Sequence, residues 1–178
     1  EGIIMKSSFF FILIFFISFS AYSNQNWKIV ETINEGNQNK TFFLISNKVL
    51  SIPGIDGPFK NTYSAIMFKC DANKKLSSFF GFTNKPNIKN NKTEGMFNVV
   101  STTIKYDDKK HDIDLYNPRR WRSNFYLTNN NNLFVKKLIN TKNVSLEINW
   151  VNQGLKYFTH NTSGFLENYN NLKKVCGL

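Results

Sequence analysis

Apolar and polar positions alternate with a period of two through most of this chain, most cleanly near its C-terminus. Val144, Leu146, Ile148 and Trp150 alternate with Ser145, Glu147 and Asn149, the spacing that sets one face of a strand in a core and the other in water. Asn152-Gln153-Gly154 follows, with glycine where a turn needs positive φ, and residues 155–161 return as the second arm of a hairpin. After Thr162 and Ser163, whose hydroxyls suit a helix N-cap, the period changes. Phe165, Tyr169, Leu172 and Cys176 recur at i, i+4, i+7 and i+11, one helical stripe, with Glu167 in the first turn, Lys173 and Lys174 in the last and Gly177 as the stop.

The same reading places a first edge strand at 27–30. Residues 41–45 and 49–52 form a hairpin or a kinked strand about Ser46-Asn47-Lys48, and the turn-formers of 53–58 make a loop. Strands follow at 64–70, where Cys70 shares a face with Ile66 and Phe68, at 76–82, and at 97–106, rich in Val and Thr. Residues 84–95 read as a Lys/Asn loop. Segments 113–116 and 125–127 are shorter strand candidates, and 133–139 has helical spacing. Many short strands without βαβ alternation predict a mainly β (α+β) domain: an antiparallel β-sandwich or twisted sheet with a short helix and a C-terminal helix packed on it.

The N-terminus changes the expected compartment. Met5-Lys6, the apolar run of 9–19 and Ala21-Tyr22-Ser23 are the three parts of a cleavable signal peptide. The run is short of the ~20 residues a spanning helix needs, so no stable membrane span is expected after cleavage. Residues 1–4 read as upstream translation, and 24–178 as a single β-rich domain, periplasmic or secreted. Its two cysteines, Cys70 and Cys176, are an even count in an exported chain and favour a disulfide. The 27 asparagines point to an AT-rich bacterial genome, which devalues the sequons at Asn39, Asn91, Asn143 and Asn161 as chance.

The formal charge is +11 and is unchanged by loss of Glu1 and Lys6. Outside the cytoplasm that charge suits a cell-envelope protein or an anionic envelope component such as headgroup phosphate or peptidoglycan carboxylate, and nucleic acid only incidentally. Two clusters carry candidate chemistry. Asp108, His111, Asp112 and Asp114 crowd together, but in no EF-hand or zinc spacing and beside lysines that repel a cation, so a solvated hairpin loop is the preferred reading and no metal or cofactor is assigned. Arg119, Arg120, Trp121 and Arg122 are the sharpest ligand-binding candidate: guanidinium groups beside an indole grip phosphate or carboxylate bidentately, against the alternative of a basic strand edge with a core tryptophan. No catalytic residue is nominated. His160 reads as a structural residue on an apolar face, and Glu31, Glu94, Glu147 and Glu167 are scattered.

Several of these residues, in order, resemble small exported bacterial proteins of the type VI secretion-associated TagO/VasI family and related uncharacterised periplasmic proteins. They are Trp27, Cys70 at the end of its strand, Asp107 after Ile104-Lys105-Tyr106, Trp121-Arg122-Ser123, Leu133-Phe134 and the span from Gly164 to Cys176. Where that family often has Phe, this chain has His160, and Lys105 stands where Arg is usual. The resemblance implies a periplasmic accessory or binding protein, with secretion as one setting. The alternatives are a small envelope hydrolase assembled from distant residues, or an anion binder using Arg119–Arg122.

Overall fold

The computed structural model describes residues 26–33, 36, 38–89, 91–118, 125–128 and 130–178. The leader segment therefore lies outside the described residues. The chain forms β1 (Trp27–Ile33), β2 (Lys40–Ser46), β3 (Val49–Ile52), a 3-10 turn (Gly57–Phe59), β4 (Tyr63–Cys70), β5 (Leu76–Phe82) and β6 (Asn91–Glu94). It continues through β7 (Phe97–Tyr106), β8 (Lys109–Pro118), β9 (Phe125–Thr128), α1 (Asn131–Ile139), β10 (Asn143–Trp150), β11 (Gly154–Asn161) and α2 (Phe165–Cys176).

The strands close on themselves. In the order β4-β3-β11-β10-β7-β8-β9-β5, with β5 returning to β4, eight antiparallel strands make a ring; β1 and β2 extend from β4, and β6 adds to β7. This corrects the expected sandwich or twisted sheet. Alternation within a strand says that one face is buried, but it is equally satisfied by a second sheet or by the far wall of a barrel. The decision lies in the pairing: β4 bonds β3 on one edge and β5 on the other, and the four-residue β9 bridges β5 to β8.

β2 and β3 are one strand interrupted by a bulge. Between the pairs Ile45↔Met67 and Val49↔Ser64 the chain takes four steps against three on β4, so one residue is extra and the strand bends. The Ser46 hydroxyl takes the Ile66 amide at 2.8 Å in place of a ladder carbonyl. The bend lets one edge of β2–β3 serve two partners, β1 along β2 and β11 along β3.

An eight-stranded barrel is narrow enough for its own side chains to fill. Ile66, Phe68, Phe80, Leu115, Leu146 and Phe158 are among those wholly buried in this one. The helices stopper the end at which β4 finishes. Phe134 of α1 lies 6.0 Å from Phe68 and 5.6 Å from Phe80, and Phe165 of α2 lies 5.0 Å from Trp27 and 5.1 Å from Phe68. At the other end Ile55 is buried, Phe59 meets Trp150 edge-on at 5.7 Å, and the buried Lys156 donates to the Gly54 carbonyl at 2.5 Å.

The helical stripe of Phe165, Tyr169, Leu172 and Cys176 is buried as expected. Its start is not capped by hydroxyl. Gly164, at φ 78°, is the N-cap; the Thr162 hydroxyl instead donates to the Thr141 carbonyl, and the Ser163 amide donates to Asn161 Oδ1 at 2.8 Å. Two further expectations shift: β6 lies inside the segment read as a loop, and β8 runs the full length of β7, with Asp112 and Asp114 facing outward while His111 and the buried Asn117 share the inner side with Leu115. Among the described residues no helix is long and apolar enough to cross a membrane.

Cys70 and Cys176 form a disulfide pair with Cα atoms 6.4 Å apart, joining the last residue of β4 to the last of α2 across 106 residues. A loop of that length is worth about 4 to 5 kcal/mol in lost unfolded-state entropy. Unfolding Cys70→Ala/Cys176→Ala in urea should show a stability lower by about 3 to 5 kcal/mol; a loss below about 1 kcal/mol would remove the staple from the account of the fold.

Candidate functional site

The β7–β8 hairpin turns at Asp107 and Asp108, with Asp107 at φ 50°, a left-handed conformation that aspartate tolerates. Its carboxylate accepts from the amides of Lys142 at 3.1 Å and Asn143 at 2.9 Å, while its own amide donates to the Asn143 carbonyl at 2.8 Å. The turn is thus tied to the α1–β10 connection, and the Asp107 charge is spent on backbone amides.

α1 lies beside this turn. Asn130 caps it by accepting from the Leu133 amide at 3.0 Å, and Phe134 and Leu138 face the core. The same periodicity puts Leu133, Lys136, Lys137 and Asn140 on the outer side at i, i+3, i+4 and i+7. With Lys109 and His111 of β8 they line an open groove of about 590 Å³. Lys137 Nζ stands 3.5 Å from His111 Nε2 and 5.9 Å above the Tyr106 ring. Asp108 is the remaining acid of the groove, and its exposed carboxylate is shared with Lys105 at 3.5 Å. Cationic groups are therefore in excess, beside an apolar wall of Leu133 and Tyr106.

The alternation of β8 separates the acidic candidates. His111 shares the inner side with Leu115, whereas Asp112 and Asp114 face outward, and Asp114 accepts from the Ser101 hydroxyl at 2.7 Å. The expected solvated loop is thus a two-residue turn flanked by strand, and among the described residues no three His, Cys, Asp or Glu converge as metal ligands. Arg119, Arg120, Trp121 and Arg122 lie outside the described residues; Pro118, which precedes them, pairs with Phe97 at the barrel end remote from the helices. Glu31 pairs with Lys40 at 2.9 Å, and Glu94, Glu147 and Glu167 stand on three separate elements. A second groove, about 860 Å³, lies beyond Thr141 between the end of α1 and the start of α2.

His160 is away from both grooves, inside the barrel. Its Nδ1 is 3.4 Å from the Ser46 hydroxyl, its Nε2 has no hydrogen-bond partner among the described residues, and Phe80 is its aromatic neighbour at 6.3 Å. Burial pushes the imidazole down to about 4, against an opposing contribution from the Asn47 backbone. It is neutral in the fold at physiological pH.

The cationic groove was not among the sequence candidates. Lys136 and Lys137 announce only a helix face, and their meeting with Lys109 and His111 needs the barrel. Comparison with protein-family models, with characterised proteins and with solved structures returns no match.

Below pH 6.5 the unfolded chain binds a proton at His160 that the folded chain refuses until about 4, so stability falls as pH drops through that window. The loss from pH 8 to pH 5 should be about 2 kcal/mol from this residue. Urea unfolding at both pH values checks it: His160→Phe should flatten the dependence by that amount, and an unchanged slope would refute it.

Proposed function

We propose that this chain is an exported, disulfide-closed accessory protein that binds an anionic component of the cell envelope and carries no chemistry of its own. The observation that carries the reading is the groove between α1 and the β7–β8 turn, where Lys109, Lys136, Lys137 and His111 converge while Asp107 is occupied by backbone amides. Ammonium groups beside an apolar wall suit a phosphate or carboxylate carried on a larger body, such as a headgroup or an envelope glycan. A paired disulfide persists in oxidising compartments, which supports the exported setting together with the leader-like pattern of residues 5–23 and the TagO/VasI-like order of motifs.

A second reading, an anion site at Arg119–Arg122, rests on residue type alone. The groove is preferred because its cations are brought together from two elements rather than strung along one segment.

Titration with inorganic polyphosphate, followed by calorimetry at several salt concentrations, tests the proposal. Binding should weaken as salt rises, and Lys136→Glu/Lys137→Glu should lower the affinity at least fivefold. The same charge change at the remote, exposed Lys60 and Lys85 should leave it within twofold. Equal losses in the two variants would reduce the binding to net charge and overturn the assignment.

A further inference from the structure

The outer surface of the barrel wall is unusually apolar along one row. Ile45, Met67, Phe79, Leu127 and Tyr116, each partly exposed, stand opposite one another on β2, β4, β5, β9 and β8; the row runs on to Val99 of β7, which is itself buried, and ends in Lys28 on β1 and Lys92 on β6. A barrel whose core is already filled from within should present polar residues here, as β10 does with Ser145, Glu147 and Asn149. Both faces of β4 are instead apolar, since Ile66 and Phe68 point in and Tyr63, Ala65 and Met67 point out.

Within this wall lies a trough of about 230 Å³. Ala65 and Gly81, paired across β4 and β5, have almost no side chain, and the larger Ile45, Tyr63 and Met67 rise around them, with the exposed Lys48 at the rim. The volume is below the ~300 Å³ at which small-molecule pockets begin; it fits one large apolar side chain. Charge on the strands around the trough has one sign. The outward positions of β1, β2, β4 and β5 carry Lys28 and Lys69 and no carboxylate.

We propose that this trough is a docking site for another protein, receiving an aromatic or branched aliphatic side chain from a segment that also carries aspartate or glutamate. The concavity argues for a knob from a partner rather than for burial in a bilayer, which takes up protruding side chains. The lysines argue against a two-fold contact with a second copy, which would bring Lys28, Lys48 and Lys69 of both chains together without an acid between them. A central apolar pocket with a charged rim is the arrangement in which one anchor side chain supplies most of the binding energy. The site is separate from the cationic groove, so either can fail without the other.

The test is selection of a displayed random dodecapeptide library on the disulfide-intact protein. Enriched peptides should hold an aromatic or aliphatic anchor within three positions of Asp or Glu. A synthetic copy should lose at least tenfold in affinity to Ala65→Arg, which fills the trough, and at least threefold to Lys48→Glu, with part of the latter loss regained when the peptide's acids become lysine. Lys48 is exposed, so that variant stands alone if Ala65→Arg does not fold. No enrichment, anchors without acids, or binding indifferent to Lys48→Glu would overturn the proposal. So would finding that Lys48→Glu removes self-association or adsorption to phosphatidylglycerol vesicles while leaving peptide binding intact.

Discussion

β4 is hydrogen-bonded along both edges, to β2 and β3 on one side and to β5 on the other, and the rest of the molecule follows from that. A strand held on both sides is interior to its sheet, and here the pairing continues in both directions until the two routes meet. They meet through β11 and β10 on one route and through the short β9 and β8 on the other. Closure then dictates the interior. Inner faces of eight strands oppose one another across a space narrow enough for side chains to fill, and Phe68 and Phe80 are wholly buried there. The open ends need stoppers, and α1 with α2 supply one while the loop that buries Ile55 supplies the other.

The least regular part of the ring is where β11 and β1 share one edge. The bulge at Ser46 bends the strand, and polar groups occupy the gap. Ser46 accepts from Ile66, Asn26 bridges to Asn161 at 2.9 Å, and the Asn47 amide reaches the Asn26 carbonyl at 2.8 Å. His160 belongs to this seam, and its neutral imidazole is the cost of placing a polar ring against Phe80. α2 covers the seam from inside, and the disulfide holds its far end to β4. A strand break, a helix and a covalent bond thus act on one weak point.

Two surfaces emerge that differ in chemistry and place. The groove beside α1 gathers ammonium groups at the helical end of the barrel, whereas the trough over β4 and β5 is an apolar dent in the side wall. The first arises because Lys109, Lys136 and Lys137 line the groove against two acids at the hairpin turn, of which Asp107 faces backbone amides and Asp108 is shared with Lys105. The second arises because β2, β4 and β5 are apolar on both faces, a pattern that the filling of the core does not require. Each suits a different partner, an anion in one case and a protein side chain in the other.

Most of the strands, the two helices and the pairing of the cysteines were legible in the residues alone, because each depends on local period, turn chemistry or an even count of thiols; β6 and the polar first half of β8 were not. Phe165, Tyr169, Leu172 and Cys176 proclaim their buried stripe without help. Closure was not legible: alternation reports that a face is buried but not what it is buried against, and β9, which completes the ring, is four residues long. The groove was hidden for the same reason. Lys109, Lys136 and Lys137 are ordinary surface lysines in the sequence, and only the seating of α1 beside the β7–β8 turn brings them together. Tertiary structure decided where charge accumulates, because distance in space, not spacing along the chain, sets the field that a ligand meets.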